Sequence, residues 1–162
     1  MTEPDKILAD IIATEMSLAV GRVVFYDENF KAPNDRLIYI TIAFSSGRII
    51  GNNNRFDPAT NKEEQYISVS ETYNVEMTSK NRDAMTRRYE PNMAIKSTYS
   101  QQQQEENQVR IFRTNTNMDL SFIEGGSSLH RYRIPVIINS TKIKSKVINY
   151  YDDFQAVEEA TE

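Results

Sequence analysis

Regular alternation of apolar and polar residues over 65–79, "QYISVSETYNVEMTS", constrains the fold more than any other feature of this sequence. Successive side chains of a strand point to opposite faces, so the pattern predicts a long strand with one apolar and one polar face. The apolar face carries Ile67, Val69, Tyr73, Val75 and Met77. The polar face carries Ser68, Ser70, Thr72, Asn74 and Glu76. We expect a strand of this kind to project beyond its own sheet.

Two earlier stretches also have the character of strands. "RVVFY" predicts a short strand, and "RLIYITIAF" predicts a stronger one in the centre of the sheet, because it is apolar on both faces. One face of the second strand carries Ile38, Ile40, Ile42 and Phe44, and the other carries Leu37, Tyr39 and Ala43.

Helical periodicity is clearest at the N-terminus, in "TEPDKILADIIATEMSL". We predict that Thr2 caps this helix, that Asp5 is the acidic residue of a capping box, and that Pro4 lies in the first turn. The apolar stripe consists of Leu8, Ile11, Ile12 and Met16.

A second helical region covers 80–107 and contains Pro91, which must kink or restart the helix. The glutamine run 101–104 within it is predicted to form solvated last turns rather than a low-complexity tract.

The asparagine-rich stretch 45–64 has the composition of a long polar connection. Loops of this length in compact domains are mostly functional or mobile. We expect this one to be mobile in the free subunit and ordered by a neighbour. Arg48 and Arg55 would then be protease sites in the free subunit and candidate interface residues in the assembly.

Further strands are predicted in "VRIFR", "MDLSF" and "LHRYRIPVII". The order helix, strands, helix, strands predicts an α+β fold: a mainly antiparallel or mixed β-sheet with two α-helices packed on one face, plus a long projecting hairpin or loop. The chain of 162 residues suits one domain. We assign 1–154 to this domain and 155–162 to an acidic C-terminal tail.

Composition narrows the possible functions. The chain has no Cys and a single His, which argues against disulfides, Cys nucleophiles and His-rich zinc sites. A net charge of −4 argues against a general nucleic-acid coat. No apolar run approaches the ~20 residues that span a bilayer, and the N-terminus is acidic where a signal peptide is basic. We therefore expect a protein that is made in a cytosol, or assembled there into something larger.

The single histidine, His130, shares a predicted strand face with Tyr132 and Ile134. A general base needs a nucleophile or an orienting carboxylate beside it, and the sequence marks neither. We interpret His130 as a structural residue of the strand. Overall, the sequence predicts no catalytic residue, no cofactor and no metal site.

Pro135 lies inside the same predicted strand. Proline cannot donate to a β-ladder, so it indicates an edge strand or a bulge. An edge with aliphatic neighbours invites another chain, and Arg131 and Arg133 on the opposite face could meet a partner's carboxylates. Alternatively, the proline marks a bulge at a free edge and both arginines are solvated.

A second basic cluster, Arg82, Arg87 and Arg88, contrasts with the acidic tail. Opposite charges at two ends of a domain suit head-to-tail packing between copies. A solvated helix face explains these arginines equally well.

From "YNVEMTSKNRDAMTRRYEPN" through "IKSTYSQQQQEEN", "FIEGG" and "LHRYRIPVII" to "YYDDF", the sequence resembles the phage neck or tail-terminator proteins. The likeness covers about the last ninety residues and is one of pattern, without a catalytic signature.

The resemblance implies a structural virion protein located in the tail or neck and assembled in the host cytoplasm. Its expected partners are copies of itself in a ring, usually a hexamer, and the tail tube, whose growth the ring ends. Further expected partners are head-connector and neck proteins and, in contractile-tailed phages, the tail sheath. DNA would pass through the lumen without specific binding.

Two other classes remain open. One is a small metal-dependent nuclease that would use Asp27, Glu28 and Lys31. The other is a generic protein-binding module. The mass of the purified protein in solution separates a ring from a monomer.

Overall fold

The computed structural model describes residues 3–26, 33, 35–124 and 127–147. In chain order its elements are α1 Pro4–Glu15, β1 Val23–Phe25, β2 Tyr39–Asp57, β3 Lys62–Ser79, α2 Asp83–Thr86, α3 Glu90–Ala94, α4 Thr98–Glu106, β4 Arg110–Arg113, β5 Met118–Asp119, β6 Phe122–Glu124 and β7 Ser127–Val147. In the described part of the chain, no helix is long and apolar enough to cross a membrane.

The strands form one mixed sheet in the order β1-β2-β3-β7-β4, and β5 and β6 pair with the first half of β7. Among the strands of the described residues, only β1 and β2 run parallel; the other pairs are antiparallel. The α+β prediction is confirmed, and the strand predicted to be central, β2, has neighbours on both sides over Ile40–Ile42.

One face of the sheet packs against the helices and forms the core. Ile40, Met77 and Tyr132 stand side by side across three strands, and all are buried. Helix α1 lays Leu8 and Ile12 into the same cluster, as its periodicity predicted. Burial of this apolar area is the main driving force for folding.

The helix starts differ in detail from the predictions. The N-cap of α1 is Glu3 rather than Thr2, and its side chain makes no capping hydrogen bond; Pro4 is the first helical residue. The second helical region consists of three short helices, and Pro91 lies in the first turn of α3, where its missing N–H costs little. A restart at Pro91 was one of the two predicted outcomes.

The glutamine run is only partly solvated. Gln104 is buried, donates from Nε2 to Ser100 Oγ (3.0 Å), and accepts from the backbone N–H of Ile111 (2.8 Å). Ser100 Oγ in turn donates to the carbonyl of Ile95 (2.9 Å). This chain of hydrogen bonds joins α4 to the outer edge of β4.

The prediction that 45–64 forms a loop is wrong, whereas the expected ordering by a neighbour stays a prediction. β2 continues to Asp57 and β3 begins at Lys62, with pairing up to Asp57↔Lys62, so only four residues form the turn. The asparagines therefore lie in a strand. Their polarity indicated a loop, but the ladder between backbone groups does not depend on side-chain polarity.

The assignment of Pro135 to an edge strand is also wrong. β7 lies between β3 and β4, and Pro135 stands opposite Asn74 of β3. Its carbonyl accepts hydrogen bonds from Thr114 N (3.4 Å) and Thr114 Oγ1 (2.9 Å), in the gap between β4 and β5. The N–H and C=O of a residue in an antiparallel ladder face the same neighbour, so the proline nitrogen faces this gap and no hydrogen bond with β3 is lost.

Candidate functional site

We call the face of the sheet that is turned away from the helices the polar face. It consists of the alternate residues of β2, β3, β4 and β7 that point away from the core. The β3 column is polar from end to end: Thr78, Glu76, Asn74, Thr72, Ser70, Ser68, Tyr66, Glu64 and Lys62. The alternation in the sequence predicted this face correctly.

The polar face is positively charged although the whole chain is not. Its basic residues are Arg48, Arg55, Lys62, Arg110, Arg131 and Arg133, and its acidic residues are Asp57, Glu64 and Glu76. These six basic and three acidic side chains give the face a net charge of +3, against −4 for the chain. Five residues predicted as interface candidates lie on this face: Arg48, Arg55, Arg131, Arg133 and Pro135.

Arg131 and Arg133 contact Glu76 of their own chain. Arg131 Nε donates to Glu76 Oε2 (2.8 Å) and Arg133 Nε donates to Oε1 (2.6 Å), and a second nitrogen of each guanidinium pairs with the same oxygen. The Glu76 side chain is only 9% exposed, so the two arginines compensate a carboxylate that has left water. Their first role is therefore within the subunit.

A second pair of arginines spans the sheet farther along. Arg48, Ser70, Asn139 and Arg110 stand opposite one another on four neighbouring strands. Three strand spacings of ~4.8 Å separate the two arginine positions by about 14 Å. Within the described residues, neither arginine pairs with a carboxylate. The row is thus cationic at both ends and polar between them.

Beyond this row, β2, β3 and β7 continue as a three-stranded ribbon that we call the arm: residues 48–57, 62–70 and 139–147. On the helix-facing side of the arm, Ile49 is 66% and Ile67 is 37% exposed. In the body, the rest of the described chain, that same face is core. The arm is therefore hydrogen-bonded but lacks a core of its own.

The two outer strands of the arm carry features that discourage edge pairing. β2 has register shifts between Phe44 and Ser46 and between Ile49 and Gly51, which mark bulges. Every second residue at the end of β7 is a lysine: Lys142, Lys144 and Lys146. Bulges and lysines are the usual protection of open edges, so a partner is expected to bind the faces of the arm rather than its edges.

The arginines of the α2–α3 region lie elsewhere and bind their own chain. Arg87 donates from Nη2 to the carbonyl of Met16 (2.7 Å) and also pairs with Glu90. Arg88 donates to the carbonyl of Met85 (2.7 Å) and lies over the Tyr89 ring at 4.7 Å. Arg82 donates weakly to the Met85 sulfur at 3.9 Å. The acidic tail that was predicted to face them lies outside the described residues.

His130 stands opposite Ser79 in the β3–β7 ladder, as the predicted strand requires. Its interpretation as a purely structural residue stays a prediction. Asp27, Glu28 and Lys31 lie outside the described residues, so the nuclease alternative stays a prediction. Elsewhere in the described ranges, no three His, Asp or Glu side chains are close enough together to hold a metal ion.

Sequence reasoning missed Arg110 and the role of Glu76. Glu76 carried a signal, because an acid within a strand otherwise lined by Ser, Thr and Asn needs a counter-charge if it is buried. Arg110 carried none, because its place opposite Asn139 depends on the pairing of β4 with a strand more than twenty residues away. No protein-family model matches the chain, and no curated protein matches it either.

Proposed function

We propose that this protein is a structural subunit of the phage neck, which forms a ring by head-to-tail contact between copies and caps the tail tube. The ring would end tube growth and present a surface for the head connector. The resemblance of the sequence to tail-terminator proteins motivates this proposal, and the arm is the observation that supports it best.

The arm supports the proposal because it cannot be explained by the stability of a single subunit. A few strands gain independent stability only when an apolar face is packed against something. Ile49 and Ile67 on one side and Ile143 on the other are open to solvent in the isolated chain. A neighbour that covers the helix-facing side of the arm, and a second one that covers the end of the other side around Ile143, remove this apolar area from water. The row at Arg48, about 14 Å nearer the body, stays open.

Head-to-tail contact provides such a partner. In a ring, each copy contacts one neighbour through one surface and the other neighbour through a different surface. Two uncovered sides of one arm suit this arrangement, whereas an isologous dimer uses the same patch twice. The number of subunits follows from the resemblance alone.

The test is the mass of the purified full chain in solution, together with negative-stain electron microscopy. We expect rings for the unmodified chain and for Leu37→Lys, which changes an exposed apolar residue of the body. The double variant Ile49→Lys/Ile67→Lys should remain monomeric with an unchanged circular dichroism spectrum. A strict monomer that also fails to bind tail tubes would refute the proposal.

The same preparation addresses the enzymatic alternative. DNA cleavage that requires Mg²⁺ and disappears in Asp27→Asn would favour the nuclease over the ring. A monomer without nuclease activity that captures a single partner would favour the generic binding module.

A further inference from the structure

The overall acidity of the chain hides a cationic track on the polar face. Arg48 and Arg110 mark its widest point, and Arg55 lies six residues farther along the sheet, about 20 Å away. Between the arginines stand hydroxyl and amide side chains, among them Ser70 and Asn139. Two acids of β3 on this face, Glu76 and Glu64, each lie six residues from the row. Glu76 is bound by two other arginines, and Glu64 stands opposite Arg55.

We propose that this track binds the phosphate backbone of duplex DNA without reading its sequence. The inference deepens the proposed function, on which it rests for the source of the DNA: the polar face would be the surface that meets DNA passing through the ring. The binding itself requires only the face.

The residue types match the groups that proteins use for phosphate. Contacts to the DNA backbone come from Arg and Lys, from Ser, Thr and Asn side chains, and from N–H groups. The row Arg48–Ser70–Asn139–Arg110 places these groups in line, with both arginines exposed and Ser70 only 9% exposed between them. Its ends are about 14 Å apart, comparable with the ~12 Å width of the major groove, so each arginine can reach a phosphate on one side of the groove.

The same features predict weak binding. A flat sheet without an element that enters a groove cannot read base edges. Arg48 and Arg110 together neutralise about two phosphates, because Arg55 stands opposite Glu64, so the slope of log K against log salt should be about −2. Weak contact of this kind holds DNA near the surface and still lets it move.

An acidic protein surface is the competing partner for a positive face. The flatness of the track and its hydroxyl and amide groups favour phosphate, because carboxylates are best recognised by paired guanidinium donors. On this face the paired guanidiniums, Arg131 and Arg133, are already occupied by Glu76.

The experiment measures binding of a fluorescein-labelled 20-base-pair duplex to the full chain by anisotropy, at several KCl concentrations. We expect Arg48→Gln/Arg110→Gln to weaken binding at low salt by about tenfold or more and to reduce the salt slope by about 2. The matched control is Lys96→Gln/Lys144→Gln, which removes the same charge away from the polar face and should change affinity by about twofold or less.

Three results would overturn the inference: no binding at the lowest salt, an unchanged salt slope in the arginine variant, or equal loss in the lysine control. Poly-L-glutamate that binds as tightly as DNA and with the same dependence on Arg48 and Arg110 would also overturn it, in favour of an acidic protein. The mass of each variant separates this outcome from the proposed function. Normal rings that do not bind DNA refute the inference alone, and monomers that bind DNA through the row refute the ring alone.

Discussion

The body and the arm are built from the same three strands but differ in what covers them. In the body, Val75 of β3 and Ile134 of β7 are buried beneath the helices. In the arm, β3 and β7 run on in unbroken register as far as Lys62↔Val147, and the helix-facing Ile49 and Ile67 are exposed. The hydrogen-bonded ladder is continuous, whereas the apolar core stops.

This difference separates two contributions to stability that usually occur together, backbone hydrogen bonding and the burial of apolar side chains. A backbone hydrogen bond forms at the expense of a hydrogen bond to water, so it adds only about 1 kcal/mol net to the free energy of unfolding. A fully buried aliphatic side chain adds about 1.5–3 kcal/mol. The body should therefore hold nearly all of the folding free energy. The arm should be a well-defined but weakly stabilised surface that gains stability from a partner.

The largest expected contrast is between two isoleucines of β7. Ile134→Ala in the body should lower the free energy of unfolding by about 2–5 kcal/mol, because the side chain is completely buried. Ile143→Ala in the arm, where the residue is 49% exposed, should change it by about 0.5 kcal/mol or less. Urea unfolding of the monomer measures both. Similar losses at the two positions would contradict the division into body and arm.

Two acids of β3 on opposite faces of the sheet offer a second contrast. Glu76→Gln in the body leaves Arg131 and Arg133 without their buried carboxylate and should cost about 2–3 kcal/mol. Glu71→Gln, near the base of the arm on the helix-facing side, loses the charge of a 3.9 Å contact with exposed Lys142. It keeps an oxygen that can accept the 3.3 Å hydrogen bond from Tyr73, so it should cost about 1 kcal/mol or less. Chemical denaturation again gives both values, and a Glu76 variant as stable as the parent would show that its burial costs as much as its pairing gains.

The glutamine run allows the same comparison within one helix. Gln104→Ala removes the acceptor for the Ile111 N–H and the donor to Ser100, so we expect a loss of about 1–2 kcal/mol. Gln101→Ala, at an exposed position of the same helix, should be neutral. Thermal unfolding of the two variants measures the difference. Equal melting temperatures would mean that water replaces the Gln104 hydrogen bonds without loss.

The smallest expected effect concerns pH at the boundary between body and arm. Burial raises the pKa of Tyr73, so the folded state keeps its proton at a pH where the unfolded chain has released it. The stability from this group is complete below about pH 10 and is lost as the pH rises through the raised pKa. Tyr73→Phe should therefore make the decline of unfolding free energy above pH 10 shallower. An identical decline in both proteins would place Tyr73 in contact with water.

The local sequence pattern predicted the helices and most of the strands, whereas the position of each strand in the sheet depends on pairing between distant segments. Alternation over 65–79 gave β3 and its polar face because side-chain direction in a strand is a local property. The proline in β7 was misread because an edge strand and a strand beside a gap look alike in sequence. Only the position of Thr114 between β4 and β5 distinguishes them.

The asparagine-rich stretch failed for a related reason. A polar composition indicates that side chains are in contact with water. In the arm this is true of the asparagines of β2, although the backbone of β2 is hydrogen-bonded to β3. The site was predicted in part: Arg48, Arg55, Arg131 and Arg133 were identified as surface cations. Their common face, and the addition of Arg110, required the register of four strands.

Hydrogen exchange along β3 tests the contrast between body and arm most directly. This strand lies between β2 and β7 throughout, so both of its halves have the same number of neighbouring strands. In the free subunit, amides of residues 63–68 should exchange at least ~100-fold faster than those of residues 73–78, because local opening follows the buried contacts. Protection of residues 63–68 should then rise in the assembled ring. Equal protection of both halves in the free subunit would contradict the account.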